Sequence, residues 1–245
     1  MTPWYALRSV SLLLRSSTPW QVYPVILRTR LTVLRERARL APRRDAFRAM
    51  VRERNFSTDW FTRRLDSWLT VFERHPLPAG AEVLEIGSWE GMSSLFILAT
   101  WPDARLTCVD NWQGGRTYAG IAAGAGSQAR FDANTADYAD RIDKFTGTSA
   151  AYFAAREAGE RFDFIYVDGS HRYADVLIDA FEGFDALKPG GIMIFDDYLL
   201  PSLGGPSDCP APALNRLLSD RRGCYELLAV SWQLVIRKLP ASVPR

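Results

Sequence analysis

The sequence contains little cysteine. Its three cysteines, Cys108, Cys209 and Cys224, are too few and too widely scattered for a disulfide framework or a zinc site. Cys108 and Cys224 lie in apolar, strand-like stretches, and we expect both thiols to be buried. This use of cysteine favours a reducing compartment, the cytoplasm.

Long hydrophobic runs are also missing. The longest uncharged apolar segments, such as residues 164–167, fall far short of the roughly 20 residues that span a bilayer, so no transmembrane helix is predicted. Hydrophobic residues make up 47% and charged residues 24% of the 245-residue chain. That composition is ordinary for a globular protein, and the length suits one large α/β domain or two small ones.

Acidic residues are absent from the beginning of the chain, where none precedes Glu36. Residues 1–54 carry twelve arginines and three acidic residues, which gives them a net charge of +9. The remaining residues carry a net charge of −7. The basic segment and the body of the protein therefore differ in electrostatic character, and we consider them separately.

Three interpretations of the basic segment stay open. An Arg-rich, acid-poor N-terminus is typical of an organelle transit peptide. Such a segment with bulky apolar residues also suits the surface of an anionic membrane, which would make the protein peripheral to that membrane. The simplest interpretation is a helical arm that packs on its own domain or on a second copy in a homo-oligomer. A secretory signal is disfavoured, because no uncharged stretch ends in a small-residue cleavage site.

The first clear periodic pattern is an amphipathic stripe over residues 58–74, which predicts a helix with Thr58 as its N-cap. From residue 82 onward, short apolar runs alternate with helical segments. The predicted strands are 83–86, 105–109, 142–145, 163–167 and 192–195, and the helices between them include 93–100 and 174–187. Strands separated by helices form βαβ units, so the pattern predicts a parallel sheet.

The C-terminal part of the chain breaks this rhythm. Residues 214–221 are predicted to be helical, and the segments 225–230 and 232–237 are strands with almost no connection between them. Strands joined so closely pair antiparallel. The sheet is therefore predicted to be mostly parallel and to be closed by an antiparallel strand.

The sequence lacks G-x-G-x-x-G, which disfavours a nicotinamide oxidoreductase. In its place stands Val83-Leu-Glu-Ile-Gly-Ser-Trp-Glu-Gly91, a buried strand that reaches Glu85 and turns through Gly87 into a helix. Glycine allows a ligand to approach the backbone where a Cβ atom would collide. A carboxylate at the strand end suits a cationic ligand better than a pyrophosphate, although a purely structural turn is the alternative.

A second acidic residue ends the next strand, in Cys108-Val-Asp110. In nucleoside-binding Rossmann folds, an acidic residue at this strand tip accepts two hydrogen bonds from a ribose diol. Two acidic strand tips, 25 residues apart in the sequence, favour a nucleoside ligand over a structural turn.

The motifs together resemble class I S-adenosylmethionine-dependent methyltransferases. The resemblance rests on Glu85-x-Gly87-x-x-x-Gly91, on Asp110, and on the segments 162–171 and 187–197 in their order and spacing. It covers residues 80–240 and looks closest to the small O-methyltransferases that act on sugars and natural products, including macrocin-type enzymes.

That resemblance implies an α/β fold, a Rossmann-like, doubly wound and mostly parallel sheet of seven strands with an antiparallel C-terminal strand. We expect residues 1–55 to form a basic helical extension and residues 56–245 to form the methyltransferase domain. The cofactor implied is S-adenosyl-L-methionine. The residues implied to bind it are Glu85, Gly87, Ser88, Gly91, Asp110, Asn111, Trp112, Thr148, Ser149 and Asp168. For Trp112, a packing role is an equally good interpretation.

Three carboxylates follow the last two parallel strands, Asp168 after one and Asp196 and Asp197 after the next. Neighbouring parallel strands end at one rim of the sheet, where ligands bind. Close anions need a compensating cation, and such oxygen ligands suit Mg²⁺. The resemblance implies the same metal site, with a general base three residues after Asp168. His171 occupies that position, and capping of the following helix is its alternative role.

The acceptor is expected to be a small hydroxylated molecule. Residues 111–141 form a long Gly-rich connection, and residues 198–212 are rich in Pro and Gly, so both could border the rim and select the substrate. The acidic body and the lack of a basic, aromatic pattern disfavour nucleic acid as a partner. A metal-independent methyltransferase, or a catalytically silent cofactor-binding module that contacts membranes, are the alternatives.

Overall fold

The computed structural model describes residues 12–14, 16–113, 126–159, 161–200 and 209–241. Within this part of the chain, one sheet contains seven strands in the order β3-β2-β1-β4-β5-β7-β6. The strands are β1 Glu82–Ile86, β2 Arg105–Asp110, β3 Ile142–Thr146, β4 Phe162–Val167, β5 Leu187–Phe195, β6 Tyr225–Val230 and β7 Leu234–Lys238.

Helices precede the sheet and connect its strands. The α-helices are α1 Val22–Glu36, α2 Ala41–Arg52, α3 Leu65–Arg74, α4 Met92–Thr100, α5 Ser127–Asn134, α6 Ser149–Ala155, α7 Tyr173–Ala186 and α8 Pro210–Asp220. Two 3-10 helices lie at Thr62–Arg64 and Ala136–Arg141. Among the described residues, no helix has both the length and the apolar character needed to cross a membrane.

The strand pairing confirms the predicted fold class. Strands β1 to β5 pair parallel with one another, and β7 pairs antiparallel with both β5 and β6. The chain moves outward from β1 to β3 and then returns to place β4 on the other side of β1. Such a switch in strand order opens a crevice at the carboxyl ends of the strands, where ligands of open α/β sheets bind.

The sheet is covered on both faces. On one face, Trp68 of α3 lies edge-on to Phe164 and Tyr166 of β4, with ring centroids 5.3 and 4.8 Å apart. On the other face, the apolar side of α7, including Val176, Ala180 and Phe184, packs in the core. The parallel strands are therefore buried on both sides, which explains their continuous apolar sequences.

The described part of the N-terminal arm packs on its own domain, which is one of the three interpretations left open by the sequence. Helix α1 lies against the edge strand β6, where Val230 N donates to Thr29 Oγ1 at 3.0 Å. Arg28 Nη2 donates to the Leu227 carbonyl oxygen at 2.9 Å. Val22 of the same helix is fully buried. These contacts cover the free edge of β6. The domain boundary at residue 55 stays a prediction.

Three details of the sequence-based prediction are wrong. The helix predicted from residue 58 begins later, because Asp59 accepts a hydrogen bond from Thr62 N at 2.8 Å and starts a 3-10 turn that leads into α3. The Cys224 thiol is exposed, because it lies in the turn before β6 and not in the strand. Strand β5 begins at Leu187, ahead of the predicted residue 192, with a register shift against β4 at Phe162.

Candidate active site

The loop after β1 lies directly against the end of β4. Gly87 N donates to the Val109 carbonyl oxygen at 2.8 Å, and its backbone has a φ of +87°. A Cβ atom at Gly87 would lie 2.2 Å from the Asp168 carbonyl oxygen, which is far inside van der Waals contact. Glycine is therefore required here to bring two strand ends together, in addition to any approach by a ligand.

Glu85 is completely buried beneath α4. Its carboxylate accepts hydrogen bonds from the Ser93 hydroxyl at 2.5 Å and from the Ser94 hydroxyl, and the Cys108 thiol lies 3.7 Å away. Burial raises the pKa of Glu85, and the serine hydroxyls oppose that rise. The structure thus uses this carboxylate to join β1 to α4, and its expected contact with a cofactor stays a prediction.

Asp110 lies at the tip of β2 and holds two loops at once. Its Oδ2 accepts from Trp89 N at 2.8 Å, and its Oδ1 accepts from Trp112 N at 2.7 Å. The residue is half-buried, so each oxygen keeps a lone pair for a hydroxyl donor at the rim. This geometry is compatible with binding of a diol.

The other expected cofactor residues surround Asp110. Trp112 is buried edge-on against Phe131, and its Nε1 donates to the Trp89 carbonyl oxygen at 2.9 Å, so packing accounts for its ring. Asn111 is exposed, and its Oδ1 accepts from Gln113 N at 2.9 Å. These bonds organise the loop after β2 up to residue 113.

Thr148 follows β3 at the same end of the sheet. Its hydroxyl accepts a hydrogen bond from Ala151 N at 3.2 Å and caps α6, which begins at Ser149. Ser149 lies near the buried carboxyl of Asp179 in α7. Burial raises the pKa of Asp179 to about 7, and the side chain of Ser149 opposes that rise. The hydroxyl of Thr148 is thus a local capping group, and its expected place beside the cofactor stays a prediction.

The acidic rim forms where β4 and β5 end. Ligand atoms of Asp168, His171 and Asp197 all lie within 4.8 Å of one another. Burial raises the pKa of Asp168 well above its usual value, and the charges of Asp196 and Asp197 raise it further. The structure therefore brings the expected acidic residues of the two strands to one place.

His171 is bonded to one member of this rim. Its Nε2 lies 3.0 Å from Asp197 Oδ2. Burial lowers the pKa of His171, but the hydrogen bond to Asp197 and the charges of Asp197 and Asp196 outweigh that effect, so the net shift is upward. Asp197 adopts a left-handed backbone, with a φ of +57°, in the turn that aims its side chain at the imidazole.

Arg64 supplies a positive charge that we did not predict from the sequence. Its Nη2 lies 3.1 Å from Asp196 Oδ1 and 3.4 Å from Asp197 Oδ1. The guanidinium also lies over the Trp232 ring, 5.5 Å from the centroid. In the sequence, Arg64 lies between Phe61 and Trp68 at helical spacing. A charged residue at such a core position could have indicated a buried ion pair.

Two aromatic side chains complete the hydrogen bonds of the rim. The Tyr166 hydroxyl donates to Asp168 Oδ2 at 2.9 Å and lies 3.3 Å from Asp196 Oδ2. Trp232 Nε1 donates to Asp197 Oδ1. We did not predict either role from the sequence, because both residues fall in segments that the pattern predicted to be strands.

The donor set that could hold a metal differs from the expected one. We expected Asp168, Asp196 and Asp197, whereas in the described part of the chain the group that converges is Asp168, His171 and Asp197. Asp196 is turned toward Arg64. Two carboxylates and an imidazole still fit a divalent cation chemically. The group of Asp168, His171 and Asp197 is therefore an alternative ligand set, and the expected set of three carboxylates stays a prediction.

The segments expected to select the substrate are only partly described. Residues 114–125 of the long connection after β2 and residues 201–208 after the acidic pair lie outside the described residues. Tyr198, at the start of the second segment, is buried, and its hydroxyl donates to Asn215 Oδ1 at 2.7 Å. Its role is therefore to anchor the end of β5 to α8.

Comparison with known protein families gives one match, in the middle of the chain. Residues 84–198, just under half of the chain, match the family model described as "Methyltransferase domain". That match includes Asp110, Asp168 and the Asp196-Asp197 pair. No curated protein sequence matches the chain.

Solved structures share the fold at low sequence identity. A protein from Corynebacterium glutamicum has a TM-score of 0.54 and 13% identity, over 86% of this chain and 90% of that one. The O-methyltransferase TomG from Streptomyces achromogenes, in complex with SAM, has a TM-score of 0.50 and 16% identity, over 65% and 74%. The methyltransferase MycE, in complex with Mg, SAH and mycinamycin VI, has a TM-score of 0.50 and 20% identity, over 78% and 53%.

The strand order and the antiparallel β7 are those of the class I methyltransferase fold, and residues 84–198 match a methyltransferase domain. The fold and the family match together support an S-adenosylmethionine-dependent methyltransferase.

Proposed function

We propose that this methyltransferase acts on a hydroxyl oxygen of a small molecule, such as a sugar, a glycolipid or another natural product. The observation that carries the proposal is the pair formed by His171 and Asp197, whose Nε2 and Oδ2 atoms lie 3.0 Å apart at the rim of the sheet. A hydroxyl must lose its proton during methylation, and an imidazole held by a carboxylate is suited to accept it.

The opposite side of the crevice fits S-adenosylmethionine, which supplies the methyl group and releases it from its sulfonium sulfur. The close approach of Gly87 to Asp168 leaves no room for a side chain between the two strand ends. Asp110 presents a half-buried carboxylate at the tip of β2, at the position where a ribose is held in nucleoside-binding folds. Ser88, Gly91, Asn111, Thr148 and Ser149 lie in the loops next to these groups.

The chain's own residues would act in a simple sequence. Asp197 holds the imidazole of His171 in place through Nε2, while Trp232 and Arg64 hold Asp197 from its other oxygen. Because Nε2 is bonded to Asp197, the other ring nitrogen, Nδ1, would be the atom that accepts the proton of an acceptor hydroxyl. The site must also orient that hydroxyl, because the rate of methyl transfer depends mainly on the alignment of the two reactants.

A divalent cation such as the Mg²⁺ expected from the acidic rim fits the same proposal. Asp168 and Asp197 offer oxygen ligands, which Mg²⁺ prefers, and MycE was solved with Mg. A bound cation would lower the pKa of a coordinated acceptor hydroxyl. With Arg64 balancing Asp196, the two remaining carboxylates carry the two negative charges that a divalent cation neutralises.

A metal-independent enzyme is the second candidate, and Arg64 is the observation that favours it. Its guanidinium lies within 3.4 Å of both Asp196 and Asp197, so a cation already compensates the rim. In that case His171 is the base without a metal, and Arg64 takes over charge compensation alone.

The proposal is tested by methyl transfer from labelled S-adenosylmethionine to a panel of sugars, glycolipids and phenols. Activity with hydroxylated acceptors and its loss in His171→Gln would support the proposal. Each reaction is repeated with EDTA and with added Mg²⁺. Loss of activity in EDTA that Mg²⁺ restores supports the metal-assisted form, whereas full activity in EDTA supports the metal-independent one.

Asp196→Asn provides the matched test of the rim. The substitution keeps the shape of the side chain and removes the charge that pairs with Arg64 beside Asp197, so turnover should fall while S-adenosylmethionine affinity is retained. Transfer only to amine or nucleic-acid acceptors would contradict the proposed hydroxyl chemistry.

A further inference from the structure

Helix α1 has two apolar faces, and only one of them packs on the domain. The inward face carries Val22 and Thr29, both buried against the core and β6. The outward face carries Leu27 and Leu34, which are 62% and 69% exposed. The domain therefore leaves an apolar helix face uncovered, and an exposed apolar face of this kind is a candidate interaction surface.

The exposed apolar residues form a continuous stripe, which we call the outer stripe. It consists of Trp20, Tyr23, Leu27, Leu31 and Leu34, all exposed. At 3.6 residues per turn, these positions fall within an arc of about 100° along α1 and the turn before it. The spacing places the five side chains on one line along the helix.

Arginines border the outer stripe on both sides. Arg30 lies about 60° from its centre on one side, and Arg35 lies about 80° from it on the other, at 100° per residue. Both are exposed. Glu36 is the acidic residue of α1, and it lies on the inward side, paired with Arg39 and Arg74. The outer face is therefore apolar at its centre and positive at its margins.

We infer that the outer stripe docks this methyltransferase on an anionic lipid surface, with α1 lying flat in the interface. An in-plane helix of this kind buries its apolar face at the acyl boundary while flanking arginines contact the acidic headgroups. Trp20, 78% exposed at the start of α1, and Tyr23 are residue types that favour the headgroup level.

A second copy of the chain is a poorer occupant of the same face. A two-fold contact through the outer stripe would bring Arg30 and Arg35 of one copy against those of the other, because such a contact is self-complementary. Like charges opposed across an interface are unfavourable. An anionic bilayer satisfies the same arginines, and the net charge of +9 over residues 1–54 favours it.

The outer stripe and the active site use different residues, so this inference does not depend on the identity of the methyl acceptor. The inward face fixes α1 to β6 through the bond between Val230 N and Thr29 Oγ1. Lipid binding therefore requires no unfolding of the arm, and the domain itself is held at the membrane surface.

The test is co-sedimentation of the full chain with vesicles of phosphatidylcholine alone or mixed with phosphatidylglycerol. Leu27→Gln combined with Leu34→Gln removes apolar area from the stripe, and Arg30→Glu combined with Arg35→Glu reverses its margins. We expect binding to the anionic vesicles that weakens with added salt, and a fall of at least about tenfold in affinity for each double variant.

The matched controls make the same kinds of substitution at exposed residues outside the outer stripe. Tyr173→Gln with Ile178→Gln removes two exposed apolar side chains from α7, and Arg105→Glu with Arg161→Glu makes the same change of charge near the start of β2 and β4. Both controls should bind vesicles as the unaltered chain does. Circular dichroism and thermal unfolding establish that every variant is folded.

Three results would overturn the inference. One is an unaltered chain that fails to bind anionic vesicles, and another is outer-stripe variants that bind as tightly as the controls. The third is a dimer in sedimentation velocity without lipid that Leu27→Gln with Leu34→Gln dissociates, since the stripe would then belong to a second copy of the chain.

Discussion

Arg64 and Asp196 form a buried ion pair between the segment before α3 and the end of β5. Arg64 Nη2 lies 3.1 Å from Asp196 Oδ1, and the two side chains are only 10% and 6% exposed. The residues are 132 positions apart in the chain. The pair therefore joins the helical layer to the acidic rim, and it supplies a positive charge next to the three carboxylates.

Removing Arg64 should destabilise the protein, because Asp196 would be left buried without a partner. Breaking a buried ion pair from one side costs about 3–5 kcal/mol. For Arg64→Met we expect the free energy of unfolding in urea to fall by about 3 kcal/mol at neutral pH. Arg63→Met is the control, because Arg63 is the exposed neighbour in the same turn. Equal stability of the two variants would show that the pair contributes nothing.

Replacing His171 should slow methyl transfer without weakening cofactor binding. If proton removal limits the rate, His171→Gln should lower turnover by about 10²–10⁴-fold. His75→Gln is the matched control, because His75 lies at the end of α3 beside Arg237, away from the rim. Calorimetry with S-adenosylmethionine should give similar affinities for both variants. Equal turnover of the two would remove His171 from the mechanism.

Asp110→Ala should weaken S-adenosylmethionine binding. Loss of hydrogen bonds to a charged acceptor costs about 1.5–3 kcal/mol, which corresponds to roughly ten- to hundredfold in the dissociation constant. Stability should fall as well, because Asp110 also holds the backbone N–H groups of Trp89 and Trp112.

Asp103→Ala is the control for Asp110, since Asp103 is exposed in the turn before β2. Calorimetry measures affinity, and thermal unfolding measures stability separately. An Asp110→Ala protein that is less stable but binds the cofactor with unchanged affinity would contradict the ribose assignment.

Asp179→Asn should stabilise the protein at neutral to alkaline pH. Burial raises the pKa of Asp179 from 3.8 to about 7. The folded state therefore favours the protonated acid, and the stability that the acid contributes is present below the unfolded pKa and is lost as pH rises toward about 7. A shift of this size corresponds to at most about 4 kcal/mol.

The measurement is urea unfolding of Asp179→Asn and of the unaltered chain at about pH 5 and about pH 8, on either side of the raised pKa. The gain in stability of the variant should be larger at the higher pH. Asp175→Asn, one helical turn away and paired with the Ser170 hydroxyl, is the control. A gain that does not change with pH would show that Asp179 is ionised in the folded protein.

The fold was largely predictable because its signals are local. Apolar runs such as those of β1 and β4 alternate with helices, and a parallel sheet is what such an order produces. The boundaries were less predictable. Strand β5 continues back through Pro189 and Gly190 to Leu187, residues whose local preferences indicate a turn, because pairing with Phe162 outweighs those preferences.

The candidate site was predictable only in part. Asp168 and Asp197 were predicted from the ends of neighbouring strands, and His171 from its position after Asp168. The hydrogen bonds between these residues could not be predicted. The distance between His171 and Asp197 depends on a left-handed backbone at Asp197, and no local pattern in the sequence requires a non-glycine residue to adopt it.

The sequence by itself determined the order of strands and helices, the methyltransferase motifs and the basic charge of the N-terminal arm, because these depend on residue type and spacing along the chain. Only the tertiary structure decided that Arg64 compensates the acidic rim and that Leu27 and Leu34 face outward while Thr29 bonds to β6. Long-range packing brings these groups together or separates them, and its energy comes from contacts between residues that are distant in sequence.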